Sequence, residues 1–235
     1  MAKKNKEISS SNLLKIKPIT ESQKTVFETW KKGQNQFLFG CAGTGKTFIS
    51  LYLAMQDVLD LKTKYDKVIL VRSLIPTREI GFLPGDEEDK AALYQVPYQN
   101  MVKFMFEQPN EQAFNMLYDR LKNQGSLYFL STSFLRGLTF DNSIIIVDEC
   151  QNLNFHELDT ITTRVGQDSK IVFCGDFSQT DLLKQNERNG LHDFLRILEE
   201  MQEFNCVEFN IGDIVRSGFV RNYLIQKTKL GMGME

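Results

Sequence analysis

Several features that would assign this 235-residue chain to a large class are missing from it. No apolar run approaches the roughly 18 residues that span a bilayer. The basic start, MAKKNKEISSS, has no apolar stretch behind it, so it does not read as a secretion signal. The four cysteines, Cys41, Cys150, Cys174 and Cys206, form no CxxC pair, and the two histidines, His156 and His192, stand far from any paired cysteines, which argues against a zinc framework. An excess of one charge is absent too, since 28 Lys+Arg face 30 Asp+Glu, and any nucleic-acid contact must therefore be a local patch. No repeat with a period of about 20 to 50 residues is visible. Together these absences predict a soluble, cytoplasmic protein with reduced thiols.

What is present is a rhythm. The 42% hydrophobic content is ample for one core and, at about 150 residues per domain, for at most two. Short apolar runs at 36–39, 68–71, 127–130, 144–147, 171–174 and 206–209 alternate with segments of helical spacing at 46–61, 155–165 and 191–201. Leu191, Phe194, Leu195 and Leu198 fall on one stripe of a 3.6-residue period. Continuous apolar strands separated by helices predict an α/β fold, a mostly parallel sheet sandwiched by helices. The polar, Lys- and Ser-rich residues 1–13 read as a flexible tail, leaving 14–235 as a single domain. Turn formers and acids in GFLPGDEEDK interrupt the rhythm and open an inserted helical segment at about 76–125. There Phe114, Leu117, Tyr118 and Leu121 have the spacing of a helix packed on the sheet, whereas Tyr94 and Tyr98 are less constrained.

Chemistry enters with Gly40-Cys41-Ala42-Gly43-Thr44-Gly45-Lys46-Thr47, which fits G-x-x-x-x-G-K-[ST] between an apolar strand and an amphipathic helix. Glycines let the backbone curl so that successive N–H groups and the helix N-terminus face a phosphate. Lys46 then neutralises β/γ oxygens and Thr47 offers its hydroxyl to Mg²⁺. Ile144 to Val147 runs into Asp148-Glu149, a buried strand ending in two carboxylates. One acid suits the metal and its neighbour suits the attacking water, so Asp148 is the Mg²⁺ partner and Glu149 the general base; the competing reading makes them helix caps. Paired acids favour hydrolysis of ATP over transfer to a bound substrate. Gln151 and, after a later apolar run, Gln179 also stand at strand ends.

With these residues in place the chain resembles the PhoH-like family of P-loop ATPases, which is similar to the first motor domain of superfamily 1 helicases. The resemblance rests on GCAGTGKT, VRSLIP, GFLPGD, FLRGLTF, VDECQN, TRVG, FCGDFSQTDL and DIVRSGFV, standing in that order. It implies a RecA-like P-loop NTPase core, γ-phosphate sensing by Gln151 and Gln179, and adenine contact by Gln23. It also implies a γ-phosphate arginine at Arg216, acting in cis or across a subunit boundary, against which stands a surface or capping arginine. The residues after Val215 are too few for a second motor domain, and the resemblance suggests a ring, a hexamer favoured, completing each site between subunits.

Two functions of different class remain at this stage. One is an ATPase coupled to single-stranded RNA or DNA, with Arg72, Arg78 and Arg136 as candidate phosphate contacts. The other is an ATP-dependent switch or assembly factor that reads a protein partner through the insertion. Cys41, Cys150 and Cys174 stand where small residues are usual, and packing is favoured over a redox switch.

Overall fold

The computed structural model describes residues 6–73, 87–132, 135, 137–176 and 185–230, excepting the side chains of 87–92, 185–189 and 228. Within them the apolar runs become β1 (Asn35–Gly40), β2 (Lys67–Arg72), β3 (Leu127–Ser131), β4 (Ser143–Asp148), β5 (Lys170–Gly175) and β6 (Phe204–Phe209). All neighbours pair in parallel, in the order β3-β2-β4-β5-β1-β6. The helices are α1 (Glu21–Lys31), α2 (Lys46–Leu59), α3 (Glu87–Met105), α4 (Glu111–Asn123), α5 (Phe155–Thr162), α6 (Gln185–Glu200) and α7 (Gly218–Lys229). This is the α/β architecture expected from the apolar rhythm, a parallel sheet sandwiched by helices, and it agrees with the RecA-like core that the resemblance implies.

Successive strand side chains point to opposite faces, and both faces are covered. Val68, Leu70, Ile144 and Ile146 meet Val26 of α1, Leu51 and Met55 of α2, Tyr98 of α3 and Phe114 of α4 in one core. Ile69, Val71, Ile145 and Val147 meet Leu158 and Ile161 of α5 and Phe194 and Leu198 of α6 in the other. Double coverage is why these strands read as unbroken apolar runs rather than alternating ones.

The central helix α2 is buried on nearly every side, with Ile49, Leu51, Leu53, Ala54, Met55, Val58 and Leu59 all in the core. Its outer side is closed by residues 6–13, which corrects their reading as a flexible tail. Ile8 and Leu13 are buried, and Lys6 Nζ donates to the carbonyls of Val58 and Asp66 at 2.7 Å each. The average composition of the segment is polar, but two apolar side chains suffice when a buried helix offers them a surface. In the insertion, Phe114, Tyr118 and Leu121 are buried and Leu117 packs against them, the packing role expected of that stripe. Helix α6 starts at Gln185, ahead of the expected Leu191, because its first turns are polar and carry no apolar spacing. No helix among the described residues is long and apolar enough to cross a membrane.

Candidate active site

The C-terminal ends of β1, β4 and β5 lie side by side, and the chain's ionisable motifs collect there. Strand β1 ends at Gly40, where a Cβ would stand 2.1 Å from the Phe209 carbonyl oxygen, so only glycine lets β6 pass this close. The same carbonyl accepts from the Cys41 N–H at 2.8 Å. Gly43 and Gly45 have φ of 73° and 84°, the left-handed region that glycine enters freely. Gly45 is the N-cap of α2. Having no side chain, it leaves the first-turn N–H groups to a ligand, with the positive end of the helix dipole behind them.

Lys46 opens α2 and is only 8% exposed. Its Nζ donates to the carbonyls of Gly40 and Cys41, both at 2.8 Å. Burial lowers its pKa below the ordinary lysine value, against the pull of Asp176 beside it. Thr44 Oγ1 ties the loop by donating to the Cys41 carbonyl at 2.9 Å.

The next residue joins the two motifs, since Thr47 Oγ1 donates to Asp148 Oδ1 at 2.6 Å. The other carboxylate oxygen, Oδ2, accepts from the Tyr98 hydroxyl of α3 at 2.7 Å. Arg72 stands at the end of β2 in register with Asp148, and its guanidinium lies 5.7 Å from the Tyr94 ring centre. Burial opposes the charge of Arg72, but Tyr98 and Asp148 outweigh it and hold its pKa above the ordinary value. Arg72, half-buried, thus brings its charge to the edge of the acidic centre.

Glu149 leaves β4 with φ of 53°, a left-handed backbone that costs a non-glycine residue on the order of 1–3 kcal/mol and tends to occur at functional sites. Burial, then the neighbouring Asp148, raises its pKa above the usual carboxylate value. Gln151 Nε2 donates a short hydrogen bond to the Glu149 carboxylate, while its Oε1 accepts from the Asp176 N–H at 3.0 Å. One amide therefore spans the ends of β4 and β5 and orients the acid. A Cβ on Gly175 would stand 2.9 Å from that Oε1 and 2.6 Å from Cys150 Sγ, so the bridge requires glycine there.

Gln23 of α1 is buried against the P-loop. Its Nε2 donates to the Thr44 carbonyl at 3.1 Å and its Oε1 accepts from the Ile19 N–H at 2.9 Å. Thr20 caps α1 by accepting from the Gln23 N–H. Arg216 follows the segment in which the Val215 N–H donates to the Gly43 carbonyl at 3.0 Å. A Cβ on Gly43 would meet Arg216 Cγ at 2.8 Å, so this side chain lies along its own chain's P-loop. Gln179, Arg78 and Arg136 lie outside the described residues. Burial, followed by Asp176, pushes the Cys41 thiol up, and Cys174 rises to about 12 by burial, so neither is an activated thiolate.

Sequence reasoning overlooked Tyr98. Its signal was weak: a tyrosine four residues after Tyr94, hence on the same face of a helix, in a chain with an arginine ending the second strand.

The model of the PhoH-like protein family matches residues 15–226. Protein PhoH2 of Bacillus subtilis (strain 168) is 36% identical over 145 residues, which is 61% of this chain and 32% of that protein. The PhoH-like protein of Synechocystis sp. is 31% identical over 207 residues, 88% of this chain and 60% of that protein. The chain thus spans between about a third and three-fifths of the length of these relatives. Among solved structures, the large terminase from a thermophilic bacteriophage aligns with a TM-score of 0.50 at 12% identity, over 90% of this chain and 50% of that one, a likeness of fold.

Proposed function

The chain belongs to the PhoH-like family of P-loop ATPases, and from that premise we propose that it binds ATP with Mg²⁺ and hydrolyses it. The observation that carries the reading is the meeting of Lys46, Thr47, Asp148, Glu149 and Gln151 at the ends of β1 and β4. Phosphate oxygens replace the Gly40 and Cys41 carbonyls as partners of Lys46, and the N–H groups of Gly43 to Thr47 line the cradle. The Thr47 hydroxyl and Asp148 carboxylate are oxygen donors that suit a hard cation. Mg²⁺ held there offsets charge on the phosphate oxygens.

Glu149, oriented by Gln151, takes a proton from water as that water's oxygen bonds to the γ-phosphorus. The bond to the bridging oxygen breaks, and ADP and phosphate result. Gln179 and Arg216 stabilise the charge spread over the γ-phosphoryl oxygens. The place of Arg216 along its own P-loop supports action in cis, and on that reading mixtures of Arg216→Ala and Lys46→Ala subunits are expected to regain no activity. Gln23 retains one N–H and one lone pair beyond its backbone partners, the donor and acceptor that an adenine edge needs.

The reading extends to single-stranded RNA or DNA, bound or remodelled by a ring of subunits, six favoured, with Arg78 and Arg136 as phosphate contacts. Its support is the family resemblance. Arg72, half-buried beside Asp148 at the end of β2, is the third candidate of that set. ATPase assays with and without poly(U) or single-stranded DNA test the coupling. Several-fold stimulation is expected; indifference contradicts it and favours a protein partner. Sedimentation with ATP and Mg²⁺ that finds only the 27.1 kDa monomer at micromolar protein would contradict the ring.

A further inference from the structure

The Asp148 carboxylate has two holders of different origin. Thr47 comes from the P-loop helix, whereas Tyr98 comes from α3, in the insertion that interrupts the βαβ rhythm. Tyr98 is 1% exposed, and its ring packs on Phe129 of β3 with centroids 5.8 Å apart. A hydroxyl buried this deeply is costly to leave unpaired. The Tyr98 hydroxyl can therefore keep its place only while the Asp148 carboxylate receives its proton. Tyr94, one turn earlier on α3, lies beside the Arg72 guanidinium. The helix thus reaches both the arginine and the acid, and Pro97 between the two tyrosines removes one backbone N–H from the helix ladder.

The geometry points to Tyr98 as a positioning residue that fixes the Asp148 carboxylate for Mg²⁺, so that docking of α3 on the sheet and metal affinity at the nucleotide site are one linked equilibrium. The inference rests on the reading of Asp148 as a Mg²⁺ partner. Hydrogen-bond partners behind a metal-binding carboxylate are commonly worth about 10-fold to 100-fold in metal affinity. Linkage makes the effect reciprocal: if docked α3 raises metal affinity, bound metal must hold α3 down by the same factor. Whatever displaces the insertion then weakens the metal site without touching the P-loop.

Tyr98→Phe keeps the ring and removes the hydroxyl. With ADP present and Mn²⁺ as a paramagnetic probe, the variant is expected to bind the ion about 10-fold more weakly, while ADP affinity in EDTA stays at the wild-type value. Asp148→Asn, measured alongside, separates the two layers. If Asp148→Asn weakens Mn²⁺ binding and Tyr98→Phe does not, the positioning role is wrong and the Mg²⁺ reading survives. If Asp148→Asn also leaves Mn²⁺ binding unchanged, both fall. The wild-type protein supplies a check that needs no variant: Mg²⁺ added with ADP is expected to slow amide exchange across Glu87–Met105. Exchange there that ignores the metal would overturn the linkage.

Discussion

Lys46 stands at the C-terminal edge of the sheet and Lys170 at the N-terminal edge, the first residue of β5. Both are buried, and burial lowers the pKa of each. Their partners differ. Lys170 Nζ donates to the Trp30 carbonyl at 3.1 Å and sits 4.0 Å from the Trp30 ring centre and 5.8 Å from that of Tyr65. Trp30 in turn donates its indole N–H to Asp57 at 2.8 Å. That ammonium is walled in by side chains that have no other place to go. Lys46 instead holds two carbonyls of a glycine loop, contacts that a phosphate oxygen can take over without unpacking anything. A buried lysine in an aromatic box belongs to the fold, whereas one resting on loop carbonyls beside a helix N-terminus is poised for a ligand.

The contrast can be broken first at its catalytic end. Lys46→Ala is expected to lower ATP turnover by at least about 10²-fold while leaving the melting temperature near wild type, as activity assays and calorimetry would report. Equal losses of activity and stability would erase the distinction. Lys170→Ala should do the reverse, losing roughly 2–4 kcal/mol of stability through the cavity it leaves between Trp30 and Tyr65, with ATP turnover per folded molecule unchanged. Denaturant titration alongside the assay checks both halves.

A smaller effect sharpens the comparison through pH. The folded pKa of Lys170, lowered to about 8, lies below its ordinary 10.5. Between these values the unfolded chain binds the extra proton, so this group makes stability rise with pH from about 8 upward. The buried thiols, with Cys174 raised to about 12 and Cys206 to about 11 by burial against an ordinary 9, and above pH 10 also Tyr65, raised to about 12, oppose the rise, which confines the window to about pH 8–9. Lys170→Met, which keeps the bulk and removes the titration, should flatten the slope there. An unchanged slope would mean that burial does not penalise this lysine.

The two ends were unequally legible in the sequence. The P-loop and Asp148-Glu149 are local strings, and the strands between them are continuous apolar runs, so residue order alone carried them. Lys170 carried no motif, and its box is assembled from α1, the residues after α2 and β5. Tyr98 stayed hidden for the same reason, since its partner is fifty residues away in the chain. The packing of Ile8 and Leu13 was masked by the polar composition around them. Arg72 was legible as a charge beside the site but not as a neighbour of Tyr94, because spacing does not reveal which face a strand's last side chain takes.

The pH dependence of turnover is the slightest of the expected effects. Because burial and Asp148 raise the pKa of Glu149, and a general base works only when deprotonated, the rate should fall as pH drops through that raised value, at a higher pH than an ordinary glutamate would give. The most direct test of the centre is single-turnover hydrolysis by Glu149→Gln with Mg²⁺, measured together with ATP binding. The variant keeps Lys46, Thr47 and Asp148, so it is expected to bind ATP as the wild type does and to hydrolyse it at least about 10²-fold more slowly, trapping the triphosphate. Hydrolysis at the wild-type rate would contradict the assignment of Glu149 as the base and, with it, the proposed mechanism.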